Sequence, residues 1–240
     1  MSKFTTDAVV LPGSVRTNTS NIEFDLGAKA VTPDGRAYRY IKCGATDLVA
    51  GKIYDGPIAV ANHTNITVVT GTALANTVTV TLGATAVTAN QYAGGVLVVN
   101  DVTGQGFTYS IKSHPAADAS AALVVTLDAD ESIVTALTTS SQVTLVANQY
   151  NGLVVHATTE AGIPVGVAVT QVTALYYGWI QTRGPIGSLI GATTAIGQSV
   201  AASDTTEGAV EIGDGILPVI GYAITAGVDT EYNPVFLTID

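Results

Sequence analysis

"VTVTLGATAVTANQYAGGVLVV", Val78 to Val99, is the stretch whose reading decides the fold. Its first part alternates valine with threonine, the period-two pattern of a strand with one face buried. Its last part is a short continuous apolar run introduced by Gly94 and Gly95. Between them stands Ala89-Asn90-Gln91-Tyr92. Asparagine accepts turn geometry and bonds its own local backbone, so the stretch reads as strand, turn, strand. The same syntax returns in "VTALTTSSQVTLVANQYNGLVV", Val134 to Val155, where Asn148-Gln149-Tyr150 again precedes a glycine and a run of valines. No nucleophile or metal-ligand cluster stands beside either copy. The pair therefore reads as two equivalent β-corners, each Tyr burying its ring while its hydroxyl finds a polar partner.

The rest of the chain extends this reading. Of the 240 residues, 47% are hydrophobic and only 12% charged, about half the usual charged share. Valine and threonine favour the pleated surface of a sheet. "NITVVT", "GQGFTYSIK", "AALVVTL", "IPVGVAVTQV", "YYGWIQTRG", "GQSVAAS", "GAVEIG" and "NPVFLTID" are further short strands separated by turn residues. "NIEFDLG" (21–27) alternates Ile22, Phe24 and Leu26 with Glu23 and Asp25, as a half-buried strand does, and "TPDG" (32–35) is a turn leading into "RAYRYIK". Residues 130–137 carry the one helical spacing, in Ile133, Val134 and Leu137.

Short strands at such spacing point to an all-β fold of β-sandwich or β-barrel domains, with an extended N-terminal arm and little helix. Three segments are expected. Residues 1–56 form an arm and hairpin, 57–160 a β-rich domain holding the ANQY pair, and 161–240 a small C-terminal β-barrel.

Charge is unevenly spread. Residues 1–52 hold seven of the nine basic groups against five acids, a net of +2; the remainder holds Lys112 and Arg183 against fourteen acids, a net of −12. An acidic body repels phosphate, so no nucleic-acid partner is expected. No apolar run is long enough to cross a bilayer, and the first ten residues lack a signal-peptide core, so no membrane partner and synthesis in the cytoplasm are expected. Cys43 is alone and reads as a small buried side chain. His63, His114 and His156 are isolated from one another, and Asp128, Asp130 and Glu131 read as a solvated turn. The sequence implies no enzyme, no cofactor and no metal. Its candidate contact residues are the basic set Arg16, Lys29, Arg36, Arg39 and Lys42 and the aromatics Tyr38, Tyr40 and Trp179. Aromatics carry large burial energies, so Trp179 also fits a core or subunit contact.

"VTLGATAVTANQYAGGVLVVND", "GFTYSIK", "VANQYNGLVV", "GVAVTQVTALYYGWIQTRGP" and the succession "GQSVAAS", "GAVEIG", "IGYAI", "PVFLTID" together resemble the β-rich structural proteins of tailed-bacteriophage particles, in particular capsid decoration (cement) and related head proteins. The resemblance covers most of residues 60–240. It implies a non-enzymatic virion component on the capsid surface, trimeric, with the major capsid protein as partner. The basic set would then face the shell. A tail, neck or baseplate component, or a fibre binding a host glycan, is the alternative.

Overall fold

The computed structural model describes residues 8–159, 161–213, 215 and 217–240. Lys3, one of the seven basic residues of 1–52, lies outside the described residues. The chain is all-β, and the helical segments among the described residues are two three-residue 3-10 turns, Ser14–Arg16 and Ala61–His63. In chain order the strands are β1 (Ala8–Val9), β2 (Lys29–Val31), β3 (Ala37–Cys43) and β4 (Ile53–Asp55), then β5 (Ile66–Thr70), β6 (Thr77–Thr81), β7 (Val96–Asp101), β8 (Thr108–Ser113), β9 (Ala122–Leu127) and β10 (Gln142–Val146). They continue with β11 (Asn151–Val155), β12 (Pro164–Ala168), β13 (Tyr177–Leu189), β14 (Ser199–Ala202), β15 (Val210–Ile212), β16 (Gly221–Ala223) and β17 (Tyr232–Thr238).

The strands form two compact units, residues 59–148 and residues 1–58 with 149–240. This division differs from the three-part expectation. The expected N-terminal segment, residues 151–155 and the expected C-terminal barrel belong to one unit, because β3 pairs with both β11 and β13.

The smaller unit is a closed barrel in the order β10-β5-β6-β9-β8-β7. The alternation in the sequence places its core. Val78 and Val80 of β6 and Leu123, Val125 and Leu127 of β9 point inward and are buried, while the threonines of β6 and Ala122, Val124 and Thr126 of β9 alternate with them on the outer face. Each such side chain contributes about 1.5–3 kcal/mol by leaving water. Residues 130–137 form no helix. The Ile133 and Leu137 amides donate to Ala75 and Gly71 instead, so the donors a helix needs are already taken by the opposite chain.

In the larger unit β13 is the shared element. Its first half pairs with β3 and β12, and its second half with β17. The pairings β3–β11–β4–β12–β13 return to β3 and enclose Ile41, Leu48, Tyr54, Leu153 and Ile180. On the other side β13, β17, β16, β14 and β15 curl until Val210 bridges Ile190, covering Val200, Val235 and Leu237. Such double use explains the run of buried residues from Gly178 to Thr182. The N-terminal segment runs extended along this sheet: β1 pairs with β2, Val15 is buried, and Thr19 bridges Tyr177. Residues 21–27 are not a strand. The Ala28 amide bonds Asp25 and the Gly27 amide bonds Tyr40, which turns the chain, and β2 becomes the hairpin partner of β3.

One corner recurs in both units. At eight places a bridging residue is followed by a four-residue turn closed by an amide-to-carbonyl bond: Lys52 to Val49, Ala75 to Thr72, Gln91 to Thr88, Ala121 to Asp118, Ser141 to Thr138, Tyr176 to Thr173, Gln198 to Ala195 and Glu231 to Val228. In seven of them the third turn residue has positive φ (Gly51, Leu74, Asn90, Ser120, Leu175, Gly197, Thr230), the mark of a type II turn. The bridging residues pair two by two: Leu48 with Val172, Gly71 with Leu137, Val87 with Ala117 and Thr194 with Gly227. The left-handed residue also donates across its pair, as Gly51 does to Ala168 and Leu175 to Gly44.

The first ANQY segment is one of these corners; the second is not. Asn148 ends the smaller unit, and Gln149 opens the second segment of the larger one. The two copies are therefore not equivalent. The structural counterpart of "VTANQY" (87–92) is "VTALYY" (172–177).

Leucine in the left-handed region costs about 1–2 kcal/mol against glycine's entropic cost of about 0.5–1 kcal/mol. Leu74 is 84% exposed and packs on little. Leu74→Gly should therefore raise the urea midpoint slightly, by up to about 1 kcal/mol in stability. Gly197 has φ +77° and open space around it, so Gly197→Ala should lower stability by about 1 kcal/mol from the backbone alone.

Tyr92 ties this corner to the barrel core. Its hydroxyl donates to His63 Nδ1 (2.6 Å), which leaves His63 Nε2–H to donate to the Thr85 carbonyl (3.0 Å). Its amide donates to His114 Nε2 (3.0 Å). Burial pushes the Tyr92 phenol up to about 12 from its ordinary 10. The folded barrel thus holds this proton more tightly than the unfolded chain. The stability it adds is whole below pH 10 and is lost between pH 10 and about 12. Alkaline unfolding followed by tyrosinate absorbance should show this loss, and Tyr92→Phe should remove that part of the pH dependence.

Candidate functional site

The basic residues of the sequence gather on the larger unit, where the β2–β3 hairpin and the first 3-10 turn bring them to the sheet. They do not form one surface. Arg39 reaches the C-terminal residue: its Nε and Nη2 donate to the two oxygens of the Asp240 side chain at 2.7 Å each, and its Nη1 donates to the Gly27 carbonyl. This guanidinium holds the Asp240 carboxyl below the usual carboxylate range. Its other face covers the Tyr150 ring. Lys42 places its Nζ 5.6 Å from the Tyr177 ring centre. Lys29 stands beside Arg39 in the β2–β3 register.

Arg36 and Arg16 behave differently. Arg36 Nε donates to Asp34 Oδ2 at 2.8 Å, and the guanidinium carbon lies 6.0 Å from the Tyr38 ring centre. Thr32 Oγ1 also donates to Asp34, which with Arg36 lowers that carboxyl. Arg16, at the end of its 3-10 turn, is exposed. Both arginines line one cleft of about 420 Å³, together with Tyr38, Val169, Ile186 and Tyr232. Tyr38 is fully buried, and its hydroxyl meets no hydrogen-bond partner among the described residues. Burial raises that phenol, opposed by the charge of Arg36 and then by Thr32 nearby.

The three aromatic candidates are all interior. Tyr38, Tyr40 and Trp179 share a buried cluster with Val15 and Ala30. Trp179 and Tyr40 meet edge to face at 5.1 Å, and Phe24 closes over both. As side chains of this unit they fill its core and do not present a contact face. Strand periodicity pairs Tyr38 with Tyr40, which marks one face of β3 without saying which face is covered.

The titratable groups outside this region serve the framework. Glu131 accepts from the amide and hydroxyl of Ser110. Cys43 is buried, and its thiol donates to the Thr46 carbonyl. His114 Nδ1 bonds the Pro115 carbonyl. Among the described residues no three His, Cys, Asp or Glu side chains come together as metal ligands do. No described helix is long and apolar enough to cross a membrane. Gln181 and Tyr232 belong to the cleft and were missed by the sequence reading. Gln181 is buried, and its Nε2, with two hydrogens to give, lies within hydrogen-bond reach of the carbonyls of Arg183, Gly184 and Pro185, a bend no local motif announces.

Fold and cleft together define an all-β protein of two ring-closed units, with a cationic cleft on an otherwise acidic chain. Set against protein-family models, curated proteins and solved structures, the chain matches none.

A second polar group in this unit is structural. Asp55 of β4 and His156, just beyond β11, are both buried, with His156 Nδ1 2.9 Å from each carboxylate oxygen. Gly162 packs against this carboxylate so closely that a Cβ there would lie 2.7 Å from that of Asp55. Removing one partner strands the other in the core. Asp55→Ala should cost about 3–5 kcal/mol, measured by thermal or urea unfolding.

Proposed function

We propose that the protein is a non-enzymatic structural component of a bacteriophage particle, a decoration protein that docks on the outer capsid surface against the major capsid protein. The observation that carries this reading is the character of the corners. Val49, Leu74, Leu175, Ile196 and Val228 all sit in the paired turns and are exposed, and Leu74 and Leu175 hold left-handed backbone there. Large apolar side chains on strained, solvent-facing turns suit contact with another protein surface. The reactive groups described above are meanwhile bound into the framework.

In this role each copy makes modest contacts, and many copies on one shell convert them into resistance to internal pressure. The exposed corners also suit self-association as a homotrimer. The neighbouring reading, a tail, neck, baseplate or fibre component that binds a host glycan, draws its support from the cationic cleft.

Copy number separates the two. In a stained gel of purified particles a decoration protein approaches the abundance of the major capsid protein, and a tail component falls far below it. Light scattering at micromolar concentration should give three times the 24.4 kDa chain mass. Leu74→Asp and Leu175→Asp together should reduce co-sedimentation with DNA-free expanded capsids. A monomeric mass, together with absence from the head fraction, would overturn the reading.

A further inference from the structure

The cleft beside Arg16 and Arg36 has the features of a ligand site, and they hold whatever particle the protein belongs to. Its volume of about 420 Å³ falls within the range of about 300–1,000 Å³ typical of small-molecule sites. Two arginines line it, and no acidic side chain does. On a chain of net charge −10 such a pocket selects an anion against its surroundings.

The arginines also have donors to spare. The Arg36 ion pair uses Nε, and its two Nη groups have no partner among the described residues. The Arg16 guanidinium makes no hydrogen bond or ion pair with the described residues. Arg36 is held in place by Asp34 on one side and the Tyr38 ring on the other. A planar fork fixed in this way matches a carboxylate.

The walls say more about the ligand. Val15, Val169 and Ile186 give an apolar floor, and the Tyr232 ring lies against Gly51, where a Cβ would come within 2.6 Å of it. Tyr38 forms part of the buried wall beside Arg36. An apolar floor, an aromatic rim and a guanidinium pair suit a ring-shaped organic acid better than a bare ion.

We propose that this cleft binds an acidic sugar, its carboxylate held by Arg16 and Arg36 and its ring lying on the apolar floor beside Tyr232.

The test is calorimetric titration of the whole protein with glucuronate, glucose and inorganic phosphate in parallel. Glucuronate should bind and glucose should not. Arg16→Gln removes a side chain with no hydrogen-bond or ion-pair partner among the described residues, so it should leave the melting temperature unchanged and weaken glucuronate about tenfold or more, the loss of one charge-assisted hydrogen bond. Arg36→Gln, which also loses the Asp34 ion pair, should weaken glucuronate by a similar factor. Lys112→Gln, an equal change of charge on β8 of the other unit, should leave the affinity unchanged. No binding of glucuronate overturns the proposal. Binding that survives both arginine variants overturns its location, and phosphate binding as tightly as glucuronate overturns the sugar acid in favour of a bare oxyanion. None of these outcomes alters the copy number or mass that test the particle reading.

Discussion

A strand that turns into the next must find partners for the amides and carbonyls of its corner, and here corners partner corners. Each bridging residue faces another bridging residue, and in three of the four pairs both exchange amide and carbonyl. The left-handed residue three positions on then reaches back across the pair. Buried backbone groups are thus satisfied without long loops or helices. The corner also sets which strands become neighbours, because it locks two chain reversals face to face. In the smaller unit the Gly71–Leu137 pair joins the β5–β6 and β9–β10 connections, and in the larger unit the Leu48–Val172 pair joins the β3–β4 and β12–β13 connections.

Side chains serve this backbone device in more than one way. Gln91 and Gln198 occupy the same turn position in different units, and each accepts the amide three residues before it. Asp47 caps a corner from outside by accepting from the Ala174 amide and the Gln171 side chain, and these bonds hold its carboxyl low. The histidines of the smaller unit belong to the same economy: each places one ring nitrogen against a backbone carbonyl and the other against Tyr92, so both rings are tied to the corner they support.

The strands were legible because valine and threonine alternate so regularly; β5 to β10, β12 and β14 to β17 fall where the pattern places them, while β13 begins there and runs on past Gly184 to Leu189. The corners were legible only in part. "ANQY" stands out as four identical residues, yet the repeat that matters is looser: Thr72-Ala73-Leu74, Thr88-Ala89-Asn90 and Thr173-Ala174-Leu175 at matching turn positions. Backbone conformation, and not side-chain identity, defines that repeat, so glycine, leucine, asparagine, serine and threonine all fill its third position. The helical spacing near Ile133 misled because periodicity records which residues are buried and not what buries them. The grouping of strands into units was hidden for a related reason. It depends on pairings between β3 and β13, which lie more than a hundred residues apart. The basic set was visible as charge, but only the fold separates Arg16 and Arg36 in one cleft from Arg39 with its carboxylate partner.

The continuous run 59–148 divides the larger unit's chain in two, and this has a consequence for biogenesis. A ribosome releases every strand of the smaller barrel before β11 is made, so that barrel can complete its hydrogen bonding while synthesis continues. The larger unit must wait. Its first strands, β2 to β4, emerge early and stay without their main partner until β13 arrives. During that interval β3 carries an open edge and a row of unburied aromatics. An unpaired strand edge of this kind is open to pairing with neighbouring nascent chains until β13 is made.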